Sequence, residues 1–171
     1  MTTARSRPNL TSVLTSVEIA PMDPADPRAQ FCLQAYFSEL NRRFETGFDP
    51  ALSILDDERV LRPPTGLLLV AIRGGDPIGC GALWFHGEGA ADIKRMWVAD
   101  SARGLGLGRR LLAELENRVA ARGLQSVRLE TNRALAEAIS MYRSASYIEV
   151  AAFNDEPYAH HWFEKQLQKR R

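Results

Sequence analysis

Cysteine is scarce in this chain. Cys32 and Cys80 are the only two, far apart and without metal-ligand spacing. They exclude a disulfide framework and fit buried thiols in a reducing compartment. Histidine is nearly as scarce. His160 and His161 are adjacent, so on a strand they point to opposite faces, and His86 is the only other one; no metal site is expected. An excess of one charge is missing too, with 22 basic residues against 21 acidic and a net charge of +1. That balance calls for neither nucleic acid nor an anionic membrane. No apolar run approaches a membrane span. Residues 1–16 lack the continuous apolar core of a signal peptide, since Val13-Leu14 is too short. The expectation is a cytoplasmic protein with a loose N-terminal tail over residues 1–16 and a short basic end over residues 168–171.

The remaining span, residues 17–167, fits one domain with a substantial core. Val17 to Ala20 reads as a first strand. Asp26 is placed to cap a helix that Pro27 can open, and Phe31, Leu33, Tyr36, Phe37, Leu40 and Phe44 recur at helical spacing after it. A short second helical stretch is expected around Ala51 to Leu55. Gly66 to Arg73 and Ile78 to Phe85 form a hairpin across a loop of about four residues, and Ala91 to Val98 is the next strand. Leu107, Leu111, Leu112, Leu115 and Val119 share one face of a long helix that Gly123 ends. Ser126 to Thr131 then returns as a strand, so this strand–helix–strand unit implies a parallel pair with a right-handed crossover. Thr131 or Asn132 can cap the next helix, which carries Leu135, Ala138, Ile139 and Tyr142 on one face. Strands over Tyr147 to Phe153 and Tyr158 to Leu167, joined by a turn at Asn154 to Pro157, close the chain. The fold class is α/β, a mixed α+β sheet flanked by helices.

The chemistry concentrates between the strand ending at Val98 and the long helix after it. Gly104, Gly106 and Gly108 lead into the helix. Glycine lets backbone approach a ligand closely, and a helix start offers free N–H groups and a positive dipole end, so this is an anion site. A Walker loop, G-x-x-x-x-G-K-[ST], fails because Arg109 and Arg110 come after Gly108. A dinucleotide loop, G-x-G-x-x-G, fails because the third glycine comes one residue early. The pattern [RQ]-x-x-G-x-[GA] is matched by Arg103-Gly104-Leu105-Gly106-Leu107-Gly108.

With the strand Ile93 to Val98 before it and the helix ending Met141-Tyr142-Arg143-Ser144-Ala145-Ser146-Tyr147 later on, the chain resembles the GNAT superfamily of N-acetyltransferases over about residues 17–167. It is similar to bacterial single-domain members and to the transferase domain of MarR–GNAT fusions, with no winged helix of its own. The resemblance implies a central mixed, splayed sheet and acetyl-CoA as co-substrate. Its pyrophosphate would sit on the backbone from Arg103 to Arg109 (Arg103, Gly104, Leu105, Gly106, Leu107, Gly108 and Arg109), and its pantetheine arm would pair with Met96, Trp97 and Val98. The Val98 amide would polarise the thioester carbonyl. Tyr142 matches the general acid that protonates the departing thiolate. A base is needed because an amine is mostly protonated at neutral pH, and Glu130 and Asp92 are the candidates; Glu39 and Glu45 could attract a cationic acceptor.

The chain departs from the family at two points. Ser146 stands where a glycine usually precedes the aromatic. Leu135 stands where many members place a CoA-contacting asparagine, and Asn132, one turn earlier, is the candidate substitute. The expected acceptor is a small-molecule or peptide amine, attacked directly in a ternary complex, and the protein is a monomer or homodimer. The alternative is a catalytically degenerate acyl-CoA sensor or protein-interaction module.

Overall fold

The computed structural model describes residues 16–86 and 89–168. Residues 1–15 of the expected tail, the basic residues 169–171 and the turn residues 87–88 lie outside them. Seven strands form one sheet in the order β1-β2-β3-β4-β5-β7-β6. They are β1 Val17–Pro21, β2 Gly66–Arg73, β3 Asp76–Trp84, β4 Ala90–Val98, β5 Ser126–Thr131, β6 Ile148–Val150 and β7 His161–Gln166. The helices are α1 Pro27–Arg43, α2 Leu107–Ala121 and α3 Ala136–Ser144. Only β4 and β5 run parallel; the other neighbours are antiparallel.

Helices cover both faces. On one, Ala29, Cys32 and Leu33 of α1 pack on Leu68, Val70, Cys80, Ala82 and Trp97. On the other, Leu112, Leu115 and Val119 of α2 and Tyr142 of α3 pack on Leu69, Leu83, Ala91, Ile93, Val127, Leu129 and Phe163. The α2 stripe is buried as its spacing predicts, whereas the buried face of α1 is Ala29, Cys32, Leu33 and Leu40, with the expected core residue Phe31 57% exposed. Both cysteines are free and buried. α1 opens as expected, with the Asp26 side chain accepting from Arg28 N and Pro27 in its first turn.

Several boundaries differ from the expectation. The β2–β3 loop is two residues, Gly74 and Gly75, because both take positive φ (57° and 85°) and so allow the tight turn that matches strand twist. The stretch after α1 forms only 3-10 turns, Pro50–Leu52 and Glu58–Leu61. Neither Thr131 nor Asn132 caps α3: the flanking residue is Leu135, without a side-chain bond, and Asn132 Oδ1 instead accepts from Ala134 N in the preceding turn. β6 and β7 are shorter than expected. Between them Asn154 and Glu156 side chains accept from Glu156 N and Tyr158 N, a local alternative to ladder pairing.

Candidate active site

The sheet is split where the site forms. β4 and β5 pair only through Ala90, Ala91 and Asp92 against Ser126, Val127 and Arg128. Beyond Asp92 no strand among the described residues pairs with the edge of β4 that faces β5. A bulge in β4 marks the divergence: the register against β3 jumps between Cys80 and Ala82, and Arg95 takes φ 58°. Bulges bend a strand and re-aim the residues beyond them. Ala99 N donates to Ile78 O at 2.9 Å, on the β3 side. By antiparallel alternation the N–H and C=O of Val98 turn to the open edge, and Arg103 Nε donates to Val98 O at 3.2 Å there.

A cleft of about 440 Å³ runs along this edge. Its floor is Met96, Trp97 and Val98, its end the loop from Ala102 to Arg109, and its walls Tyr36, Glu39, Leu40 and Arg43 of α1 facing Leu135, Glu137, Ala138, Met141 and Tyr142. Gly104 and Gly106 take φ 76° and 79°, and a Cβ on either would meet nothing within 4 Å. Their absent side chains therefore leave open space above the backbone. Gly108 serves packing instead, since a Cβ there would lie 3.0 Å from Met141 Sδ. Gly106 flanks α2 in the left-handed conformation and no side chain caps that end, so the first-turn N–H groups are left for an anion. This cradle, the open strand edge and the cleft fit a long phosphorylated thioester.

A second cavity, about 90 Å³, adjoins the cleft. Tyr36, Leu40, Met96, Leu135, Ala138 and Tyr142 line both. The junction is thus walled by two tyrosines from opposite helices. The Tyr142 side chain is buried where the two cavities meet. Burial pushes its phenol well above the usual tyrosine range, with Tyr36 and Glu130 adding to the rise. Burial likewise pushes Tyr36 up to about 12. Both stay protonated at neutral pH. Tyr142 is held by the turn that ends α3: Tyr147 N donates to Tyr142 O and Ser146 N to Arg143 O, with Ser146 at φ 74°. These are the two bonds of a Schellman motif, so the serine adopts the glycine-like conformation that the sequence demanded of it.

The two base candidates part company. Glu130 lines the smaller cavity, where its carboxylate pairs with Lys94, both side chains being almost fully buried (7% and 6% exposed). Its other oxygen accepts from Asn154 Nδ2 at 3.3 Å. Asp92 lines neither cavity. It is enclosed by His86, whose Nε2 lies 2.7 Å away, and by Arg128 at 3.1 Å. Asn132 lines the smaller cavity, not the cleft, and donates to Tyr158 O. Glu39 pairs with Arg103 and Arg43, and Glu45 lies 3.8 Å from Arg133 on the surface. His160 Nδ1 accepts from Arg133 N, while His161 Nδ1 lies 3.1 Å from Glu149. Among the described residues no group of three or more His, Cys, Asp and Glu could hold a metal ion, and no helix is long and apolar enough to cross a membrane.

Sequence reasoning missed Lys94, Glu156 and the Glu39–Arg103 contact as parts of the site. Lys94 and Arg95 carried the best available signal: two adjacent cations in a mostly apolar strand must have partners inside the fold.

A mixed sheet opened between two parallel strands, beside a glycine loop at a helix start, defines an acyl-CoA transferase fold. Residues 33–147 match the model of the acetyltransferase (GNAT) family, and the chain belongs to that family, which transfers acyl groups from CoA. It is 36% identical over 116 residues to an IAA acetyltransferase of Azospirillum brasilense, covering 67% of this chain and 76% of the relative. Among solved structures it is similar to a GNAT-family acetyltransferase of Staphylococcus aureus (TM-score 0.75, 14% identity, 89% of this chain and 99% of that one). It is also similar to the PaiA N-acetyltransferase of Thermoplasma acidophilum in complex with coenzyme A (TM-score 0.69, 19% identity, 89% and 99%).

Proposed function

We propose that the protein is an N-acetyltransferase that moves an acetyl group from acetyl-CoA to a primary amine by direct attack in a ternary complex. The carrying observation is the buried Tyr142 side chain, which lines both cavities at their junction. The donor would lie in the 440 Å³ cleft, with the N–H groups from Arg103 to Arg109 around its pyrophosphate and β4 alongside its pantetheine arm. The amine would enter from the 90 Å³ cavity. The coenzyme A complex of the Thermoplasma relative, on the same fold, supports this placement.

In the reaction the amine nitrogen forms its bond to the thioester carbonyl carbon as the carbon–sulfur bond breaks. Val98 N–H, turned to the open edge, donates to the carbonyl oxygen as charge develops there, typically worth about 3 kcal/mol per donor. Tyr142 gives its proton to the departing sulfur. Glu130 takes the proton of the amine, directly or through water; its place in the acceptor wall favours it over Asp92, which is enclosed elsewhere. Thiol release from acetyl-CoA in the presence of a primary amine tests the reading. Turnover is expected in the parent and is lost in Tyr142→Phe at unchanged CoA affinity. Equal turnover in both would remove Tyr142 from the chemistry. Tight CoA binding without transfer to any amine would leave only an acyl-CoA-binding role.

A further inference from the structure

We infer that the acceptor is a small primary amine on an apolar, ring-sized body that bears no second charge. The inference rests on the transferase reading and concerns only the 90 Å³ cavity. The cavity is far smaller than the donor cleft it joins, so the part of the acceptor that it encloses is compact, on the scale of a ring with a short aminoalkyl arm.

The wall opposite β4 and β5 is aromatic. Phe44, Phe48 and Tyr158 form a mutually packed triangle, with ring centroids 4.8 Å apart for Phe48–Tyr158, 5.8 Å for Phe44–Tyr158 and 5.9 Å for Phe44–Phe48. Tyr158 is fixed from two sides: its hydroxyl accepts from Asp49 N at 2.9 Å and its carbonyl from Asn132 Nδ2 at 2.8 Å. The rings are tilted against one another, by 83° for Phe44–Phe48 and 49° for Phe48–Tyr158, and so brace each other as an aromatic cluster that offers both edges and faces. Such faces favour a flat apolar body, and an ammonium placed over one of them gains further attraction.

Each charged group in the lining already faces an opposite charge or a hydrogen-bond partner within the chain. Lys94 and Glu130 neutralise one another. Glu156 accepts from Ser53 Oγ at 2.9 Å, Ile54 N at 3.0 Å and Tyr158 N at 3.4 Å. Arg95 donates through Nη2 to Leu55 O at 2.6 Å, lies over the Phe37 ring, and turns its Nε, which makes no hydrogen bond, to the Glu58 carboxylate 3.7 Å away, so its charge is already countered. A carboxylate on the acceptor, as in an amino acid, finds no free cation here. A second ammonium, as in a polyamine, finds no anion left, since Glu130 serves the reacting amine and Glu156 is held by three hydrogen bonds. Either would be desolvated without a partner, which buried sites strongly reject.

The test is a matched panel with the full chain and saturating acetyl-CoA. Phenylethylamine and phenylalanine differ by one carboxylate; hexylamine and spermidine contrast one charge with several. Expected is a kcat/KM at least about 100-fold higher for the singly charged member of each pair, the scale at which an unpaired polar group is discriminated. Equal or inverted preference overturns the inference. Calorimetric binding of the same amines to the CoA-loaded protein separates the two layers of the argument. Selective binding of phenylethylamine and hexylamine without acetylation would refute the transferase reading and keep the pocket assignment. Acetylation of the charged acceptors alone would do the reverse. No binding and no turnover with either class would refute both.

Discussion

Glu39 of α1 and Arg103 of the glycine loop form an ion pair across the donor cleft. The same carboxylate lies 3.7 Å from Arg43, which donates to Glu137 at 2.8 Å on the facing helix α3. One anion therefore sits between two guanidinium groups where the pyrophosphate is proposed to bind. Glu39→Gln should lower the KM for acetyl-CoA about twofold to fivefold, the worth of a partly exposed pair, with a larger effect at low salt. Arg103→Gln should raise it. Steady-state kinetics at two ionic strengths decide the matter, and an unchanged KM in both variants would detach these charges from donor binding.

Burial holds the Tyr142 phenol above its ordinary value near 10. Its protonated form, the one required of an acid, therefore persists into alkaline solution. The rate should climb as the acceptor amine loses its proton and show no decline below pH 10. Tyr142→Phe should lower kcat about 10²- to 10⁴-fold across that whole range. A descending limb near pH 9 in the parent enzyme would contradict the assignment.

Acid stability should have a component that belongs to Glu137. Arg43 bonds to its carboxylate and holds it at about 2, below the ordinary 4.5. A depressed value contributes stability that is present above pH 4.5 and is lost as pH falls towards 2. The side chain is 59% exposed, so solvent screening limits the contribution to about 1 kcal/mol or less. Urea denaturation of Glu137→Gln should show a smaller loss of stability between pH 5 and pH 3 than the parent.

Ser146 occupies a left-handed position at φ 74°. Such a conformation costs a side-chain-bearing residue roughly 1–2 kcal/mol, and the extra freedom of an unfolded glycine takes back about 0.5–1 kcal/mol. Ser146→Gly should therefore stabilise the fold by about 0.5–1 kcal/mol. The denaturation midpoint should rise at constant slope, with turnover unchanged. A lowered midpoint would mean that the serine side chain contributes something its backbone geometry does not reveal.

Signals carried by neighbouring residues were legible. The run from Arg103 to Gly108 announced a turn and a helix start, Asp26-Pro27 announced the entry to α1, and the spacing around Tyr142 placed it on the buried face of α3. Pairings between distant segments were not. Lys94 and Glu130 stand 36 positions apart and meet only because β5 lies beside β4 in the sheet. Glu39 and Arg103 are 64 positions apart and sit on separate elements. Asp92 and Glu130 looked equivalent as strand carboxylates. Only the divergence of β4 from β5 beyond Asp92 leaves one enclosed and the other in a cavity wall. Strand ends were illegible near Asn154 and Glu156, whose side chains bond to the loop backbone instead of leaving it to the ladder.

The gap between β4 and β5 is flanked by Ile93, Leu129 and Tyr142, which share one core cluster with Leu112, Leu115 and Phe163 of the surrounding elements. Backbone pairing alone would draw the two parallel strands together along their length; side-chain bulk and the bulge at Arg95 hold them apart. The width of the opening is thus a packing variable. Trimming the wedge could let the sheet zip shut and silence the protein with every ligand-facing group still in place.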